Sequence, residues 1–146
     1  MKDLIDPPEP VAPLRVHLVV ADAARAIAFY RAAFGAEEEG RETGAGGRIA
    51  HAELWIFGNL VMLADDRPSD PAADAQGLRA PSALGATTAT LHVDLATPQD
   101  LAAVLARAEG AGARITFPAR PMDWGSVYAR LLDPFGHAWS FAAEAP

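Results

Sequence analysis

The chain contains no cysteine among its 146 residues. That excludes disulfides, thiolate metal centres and thiol nucleophiles. Positive charge is scarce too: 12 Lys+Arg against 19 Asp+Glu leave a net charge of −7. With no Lys/Arg run anywhere, the chain does not present a nucleic-acid surface. Long hydrophobic runs are also missing. No apolar stretch approaches the roughly 18 residues of a membrane-spanning helix, and Met1–Pro8 lacks the apolar segment of a secretion signal. The expectation is a cytoplasmic protein with neither nucleic-acid nor membrane partners.

The 51% hydrophobic content suits one globular domain or two tightly fused halves. At this length a domain buries about 70% of its unfolded surface, so no covalent staple is required. Residues 1–12, with Pro7, Pro8 and Pro10, read as an extended tail. The domain proper spans 13–142: a first module at about 13–66, a linker at 67–85 and a second module at about 86–142.

Leu14–Val20 alternates at period two, with Leu14, Val16, Leu18 and Val20 on one face. Asp22 can cap a helix carrying Ile27, Tyr30 and Phe34, which Gly35 ends. Strand-like pieces follow at about 36–43, 48–57 and 60–65. They are separated by Gly44-Ala45-Gly46-Gly47, a turn with no helix after it to make a phosphate cradle, and by Gly58-Asn59. Residues 67–85, rich in Pro, Ala, Ser and Asp, show no apolar period and predict a segment without rigid structure of its own. The pattern then restarts. Thr88–Leu95 alternates, Thr97 and Pro98 open a helix with Leu101, Val104, Leu105 and Ala108, and strands near 113–118, 126–132 and 137–142 complete it. His17 lies five residues before Asp22, and His92 five before Thr97. The halves are therefore read as an internal repeat, with Arg15, His17, Thr90 and His92 turned to a shared groove and the other strand faces turned to the helices.

Ala26-Ile27-Ala28-Phe29-Tyr30, Phe34-Gly35-Ala36, His51-Ala52-Glu53-Leu54, Val61-Met62-Leu63-Ala64-Asp65 and Asp133-Pro134-Phe135-Gly136-His137-Ala138-Trp139, in this order, resemble the vicinal-oxygen-chelate superfamily. That group includes glyoxalase I, ring-cleaving dioxygenases, fosfomycin-resistance enzymes and bleomycin-binding proteins; the PhnB-like branch is the most similar. The resemblance covers roughly 13–142. It implies an α+β fold of two tandem βαβββ modules forming curved mixed sheets around a ligand groove, and a homodimer.

Metal-dependent members take a histidine from each first strand and a glutamate from a later strand of each half. The corresponding positions here hold Arg15, Thr90, Ser140 and Glu53, and only Glu53 is an ordinary ligand. The resemblance thus implies that the inherited chelate is lost and no cofactor is expected. A displaced divalent-metal site could use His17, Glu53 and His92, with His51 beside Glu53; two histidines and one carboxylate form a known metal set. These three are also the catalytic candidates. The expected ligand-binding residues are Arg15, His17, His51, Glu53, Trp55, Thr90, His92, Trp124, Tyr128, Arg130 and Ser140. Trp124 and Trp55 would serve as stacking platforms. His137 is assigned to the Asp-Pro-Phe-Gly turn, and Trp139 and Phe141 to the core. The leading expectation is a metal-independent binder of a small, partly planar molecule; the alternative is a metal-dependent lyase, isomerase or dioxygenase. Whether the chain is an enzyme stays open at this point.

Overall fold

The computed structural model describes residues 8, 9 and 12–146, so the 1–12 tail lies largely outside the described residues. The fold is α+β. The first module contributes β1 (Val16–Val20), α1 (Ala23–Phe34), β2 (Glu37–Thr43), β3 (Ile49–Ile56) and β4 (Asn59–Asp65). The second contributes β5 (Thr90–Asp94), α4 (Pro98–Gly110), β6 (Arg114–Pro121), β7 (Ser126–Leu132) and β8 (Ala138–Glu144). Each module closes its own four-stranded mixed sheet, ordered β1-β4-β3-β2 and β5-β8-β7-β6. In each sheet the first strand runs parallel to the last, because a helix crosses over between them. No helix among the described residues is long and apolar enough to cross a membrane.

The caps act as their residue types dictate. The Asp22 carboxylate accepts from Arg25 N–H, and Gly35 closes α1 in the left-handed conformation. Thr97 caps α4 through Asp100 N–H, with Pro98 at its first position. α1 buries Ile27, Phe29, Tyr30 and Phe34, while α4 buries Leu101, Val104 and Ala108. The two helices pack together, and the aromatics from both halves share one core: Phe34 and Trp139 lie 4.7 Å apart between ring centroids, Tyr30 and Trp139 5.7 Å.

A buried polar knot crosses between the modules. Asp133, only 4% exposed, accepts hydrogen bonds from Tyr30 Oη (2.5 Å), Trp139 Nε1 (3.0 Å), Phe135 N (2.9 Å) and His137 N (3.0 Å). Burial, and then the Asp133 carboxylate, push the Tyr30 phenol well above the ordinary tyrosine value. His137 donates through Nε2 to the Val19 carbonyl at 2.9 Å, tying the turn to β1 as well.

Two expectations need correction. Leu14 does not belong to β1 and is 96% exposed. β1 begins pairing at Val16↔Val61, and two residues earlier its neighbour strand has only reached its own start at Asn59. The 67–85 segment is not structureless. It forms α2 (Pro71–Gln76) and α3 (Pro81–Leu84), each opened by a proline and closed by a left-handed glycine, Gly77 or Gly85. Asp66 anchors it by accepting from Ala80 N (3.0 Å) and Arg67 N (2.7 Å) while pairing with Arg79; Ala73, Ala80 and Pro81 are buried.

The outer sheet edges are β2 and β6. β2 carries Glu37, Glu38, Glu39 and Glu42; β6 carries Pro118, Pro121, Arg114 and Arg120. Both have register irregularities against their neighbours.

Candidate functional site

Strand alternation sorts the side chains of β3. Ala52, Leu54 and Ile56 are buried on one face, while His51, Glu53 and Trp55 stand on the other. Across the first sheet His17 lies opposite Met62, and Met62 opposite Glu53. Across the second, His92 lies opposite Ser140, and Ser140 opposite Arg130. The repeat therefore places His17 and His92 in matching register, and likewise Glu53 and Arg130.

On the first sheet the His51 ring approaches Glu53 Oε1 through Nε2 at 3.3 Å, and the His17 ring lies 6.2 Å from His51 between centroids. His51 is the side chain that meets the Glu53 carboxylate. Partial burial, and then the His51 imidazole, hold His17 below the ordinary histidine value, so its ring is neutral at pH 7. Trp55 is 39% exposed and donates its indole N–H to Glu39 at 2.8 Å.

On the second sheet His92 sits between Ser140 Oγ, 2.7 Å from Nδ1, and Asp94 Oδ1, 2.9 Å from Nε2. A carboxylate acceptor calls for N–H at Nε2, so in the neutral ring Ser140 donates to Nδ1. These are the residue types of a hydrolytic triad, but Ser140 is 3% exposed and cannot meet a substrate. It positions the imidazole instead. Arg130 donates through Nη1 to Tyr128 Oη (2.8 Å) and through Nη2 to Thr90 Oγ (2.6 Å). The rings of Phe117, Trp124 and His92 surround Tyr128 at centroid distances of 5.6, 5.9 and 6.5 Å; Trp124 is 64% exposed.

A groove of about 550 Å³ runs between β1 and β5, the facing edge strands of the two sheets. His17, Thr90 and His92 reach it, as do Val16, Leu18, Leu91 and Val93. The last four were assigned to the faces covering the helices. They meet the groove because the two edge strands do not pair with each other, which leaves a gap along their apolar sides. His51, Glu53, Trp55, Tyr128, Arg130 and Trp124 lie outside this groove's lining, and Arg15 is exposed. Met62 and Asp94 were not anticipated; for Asp94 the signal was its position two residues after His92, on the same strand face.

A sequence profile of the Glyoxalase/Bleomycin resistance protein/Dioxygenase superfamily matches residues 12–141. The chain belongs to that superfamily. A Mycobacterium bovis relative, Mb0911c, is 43% identical over 127 residues, covering 87% of this chain and 80% of its own. The PhnB protein of Bacillus cereus superposes with a TM-score of 0.69 at 16% identity, over 90% of this chain and 99% of that one. FosX, a fosfomycin resistance protein of Listeria monocytogenes, in a complex with Mn(II) and sulfate, gives 0.65 at 15% identity over 94% and 93%. At these identities the two structures speak for the fold alone.

The metal that many members of the superfamily carry does not fit the residues at its positions here. Thr90 Oγ accepts from Arg130, so this hydroxyl is already engaged by a guanidinium, a fixed positive charge that would repel a metal cation beside it. The Ser140 hydroxyl is buried and bonded to His92. The displaced set of His17, Glu53 and His92 is not assembled either. Its members divide between two sheets, and among the described residues no group of three or more His, Asp or Glu is arranged to hold an ion.

Proposed function

We propose that the protein binds a small, partly planar molecule without a metal, as a sequestering or resistance-type member of the superfamily. The observation that carries this reading is the groove between β1 and β5, whose walls mix apolar residues such as Val16, Leu18, Leu91 and Val93 with polar groups, among them His17, Thr90 and His92. Its volume of about 550 Å³ falls within the range of ligand sites, and a mostly apolar lining with sparse orienting groups is their usual form. The exposed Trp124 and Trp55 supply aromatic surface on the neighbouring sheet faces. The order and spacing of the motifs support placement near the PhnB-like branch, and with it a homodimer.

The metal-dependent alternative draws on the likeness to Mn(II)-bound FosX. The donor set described above weighs against it.

The test is tryptophan quenching by anthraquinone-like, glycopeptide-like and α-keto compounds, followed by mass analysis of the recovered compound. A bound compound should come back unchanged. For a planar ligand that extends from the groove over the second-sheet face to Trp124, Trp124→Ala should weaken binding by roughly tenfold, since truncating a stacking anchor costs about 1.4 kcal/mol or more. Turnover of a bound compound would make the protein an enzyme, and an unaffected Trp124→Ala variant would move the ligand elsewhere.

A further inference from the structure

We propose that Arg130 is an oxyanion receptor on the second-sheet face beside the groove, reached from it through Thr90, and that the ligand is an aromatic carboxylate whose charged end extends out of the groove to dock on this guanidinium. This rests on the small-molecule reading above and names the class of molecule.

Among the described residues three of the eleven arginines pair with carboxylates: Arg41 with Glu38, Arg67 with Asp70 and Arg79 with Asp66. Arg130 makes no ion pair among the described residues. Its bonded partners, Tyr128 Oη and Thr90 Oγ, are both neutral. Asp94, the acidic residue of β5 on the same sheet face, is held by His92 Nε2. A half-buried guanidinium with no counter-charge leaves an unmet demand for an anion.

The same two bonds prepare it to meet one. Tyr128 and Thr90 grip the guanidinium from β7 and β5, so little side-chain entropy remains to be lost on docking. A guanidinium has five N–H donors in a planar fork, and two bonds leave enough for a planar carboxylate. The aromatic part has its place beside the charge, because Tyr128 carries Trp124 and Phe117 edge-on. The repeat adds direction. Glu53 occupies the matching row of the first sheet, so the two halves offer opposite charges and an anionic end is steered to the second sheet.

Calorimetric titration with 2-naphthoate and with 2-naphthamide, which keeps the ring but not the charge, tests this. The native protein should bind naphthoate at least about tenfold more tightly, as expected for charge-assisted hydrogen bonds. Arg130→Gln should erase that preference by weakening naphthoate far more than naphthamide, with an unchanged urea midpoint showing the fold intact. Arg130→Lys should retain part of the preference. Equal binding of both compounds by the native protein, lost in Trp124→Ala, would overturn the carboxylate assignment and leave the small-molecule reading standing. Binding of neither compound would overturn the carboxylate assignment, and the quenching screen would then decide the small-molecule reading.

Discussion

Asp133→Ala is expected to cost about 3–5 kcal/mol of folding stability, a large share of the roughly 5–15 kcal/mol that holds a domain together. The alanine would strand the Tyr30 hydroxyl and the Trp139 indole N–H, both in fully buried side chains, and release the turn amides of Phe135 and His137. Urea denaturation measures the loss, and an unchanged midpoint would show that the knot contributes nothing. Tyr30→Phe removes one donor and should cost less, about 1–3 kcal/mol. It should also alter the response to alkali. The folded-state pKa of Tyr30 lies above the ordinary value of 10.0, so the unfolded chain loses this proton first. The associated stability is complete below pH 10.0 and declines as pH rises beyond it. In Tyr30→Phe that component of the alkaline decline should be gone.

Gly136→Ala should destabilise by about 2–4 kcal/mol through two separable effects. Gly136 has φ +89°, a conformation that costs residues with a side chain, and a Cβ built there would lie 2.9 Å from Pro81 Cβ and 3.4 Å from Ser82 N. Pro81 is buried at the start of α3, which rests on β1, so the methyl group would prise the 67–85 segment away. Limited proteolysis should then cut within that segment before the rest of the chain. Adding Pro81→Gly relieves the contact but not the backbone conformation. The double variant should therefore recover part of the loss, and full additivity of the two changes would argue against the clash.

Much of this architecture can be read from local signals. Asp22 with Gly35, and Thr97 with Pro98, bracket the helices through bonds spanning a few residues. Alternation also sorted His51, Glu53 and Trp55 from Ala52 and Leu54, since a strand has a period of two. What stayed hidden depends on distant partners or on helices too short to have a stripe. Asp133 reads as a turn residue, and nothing near it in sequence points to Tyr30, 103 positions away. The grip of Arg130 on Thr90 spans 40 positions and requires β8 to lie between their strands. Each of α2 and α3 had its proline and its glycine, but six and four residues cannot display a 3.6-residue period. Whether His17 and His92 would share an ion with Glu53 depended on how two sheets meet, and strand alternation carries no information about that.

The composition of the outer edges bears on assembly between molecules. β2, with four glutamates against the one Arg41, ends the first sheet, and β6, with Arg114 and Arg120, ends the second, so the two edges carry opposite net charge. A β2 edge of one molecule laid against a β6 edge of the next would be electrostatically attractive, and the contact does not close on itself, so it could propagate as a filament. Pro118 and Pro121 work against this, because each removes an amide donor from the edge that would have to zip. The irregular registers of both strands break the line further. Replacing both prolines with threonine should leave the monomer fold intact yet produce concentration-dependent polymers at low salt that dissolve as ionic strength rises, which light scattering would follow.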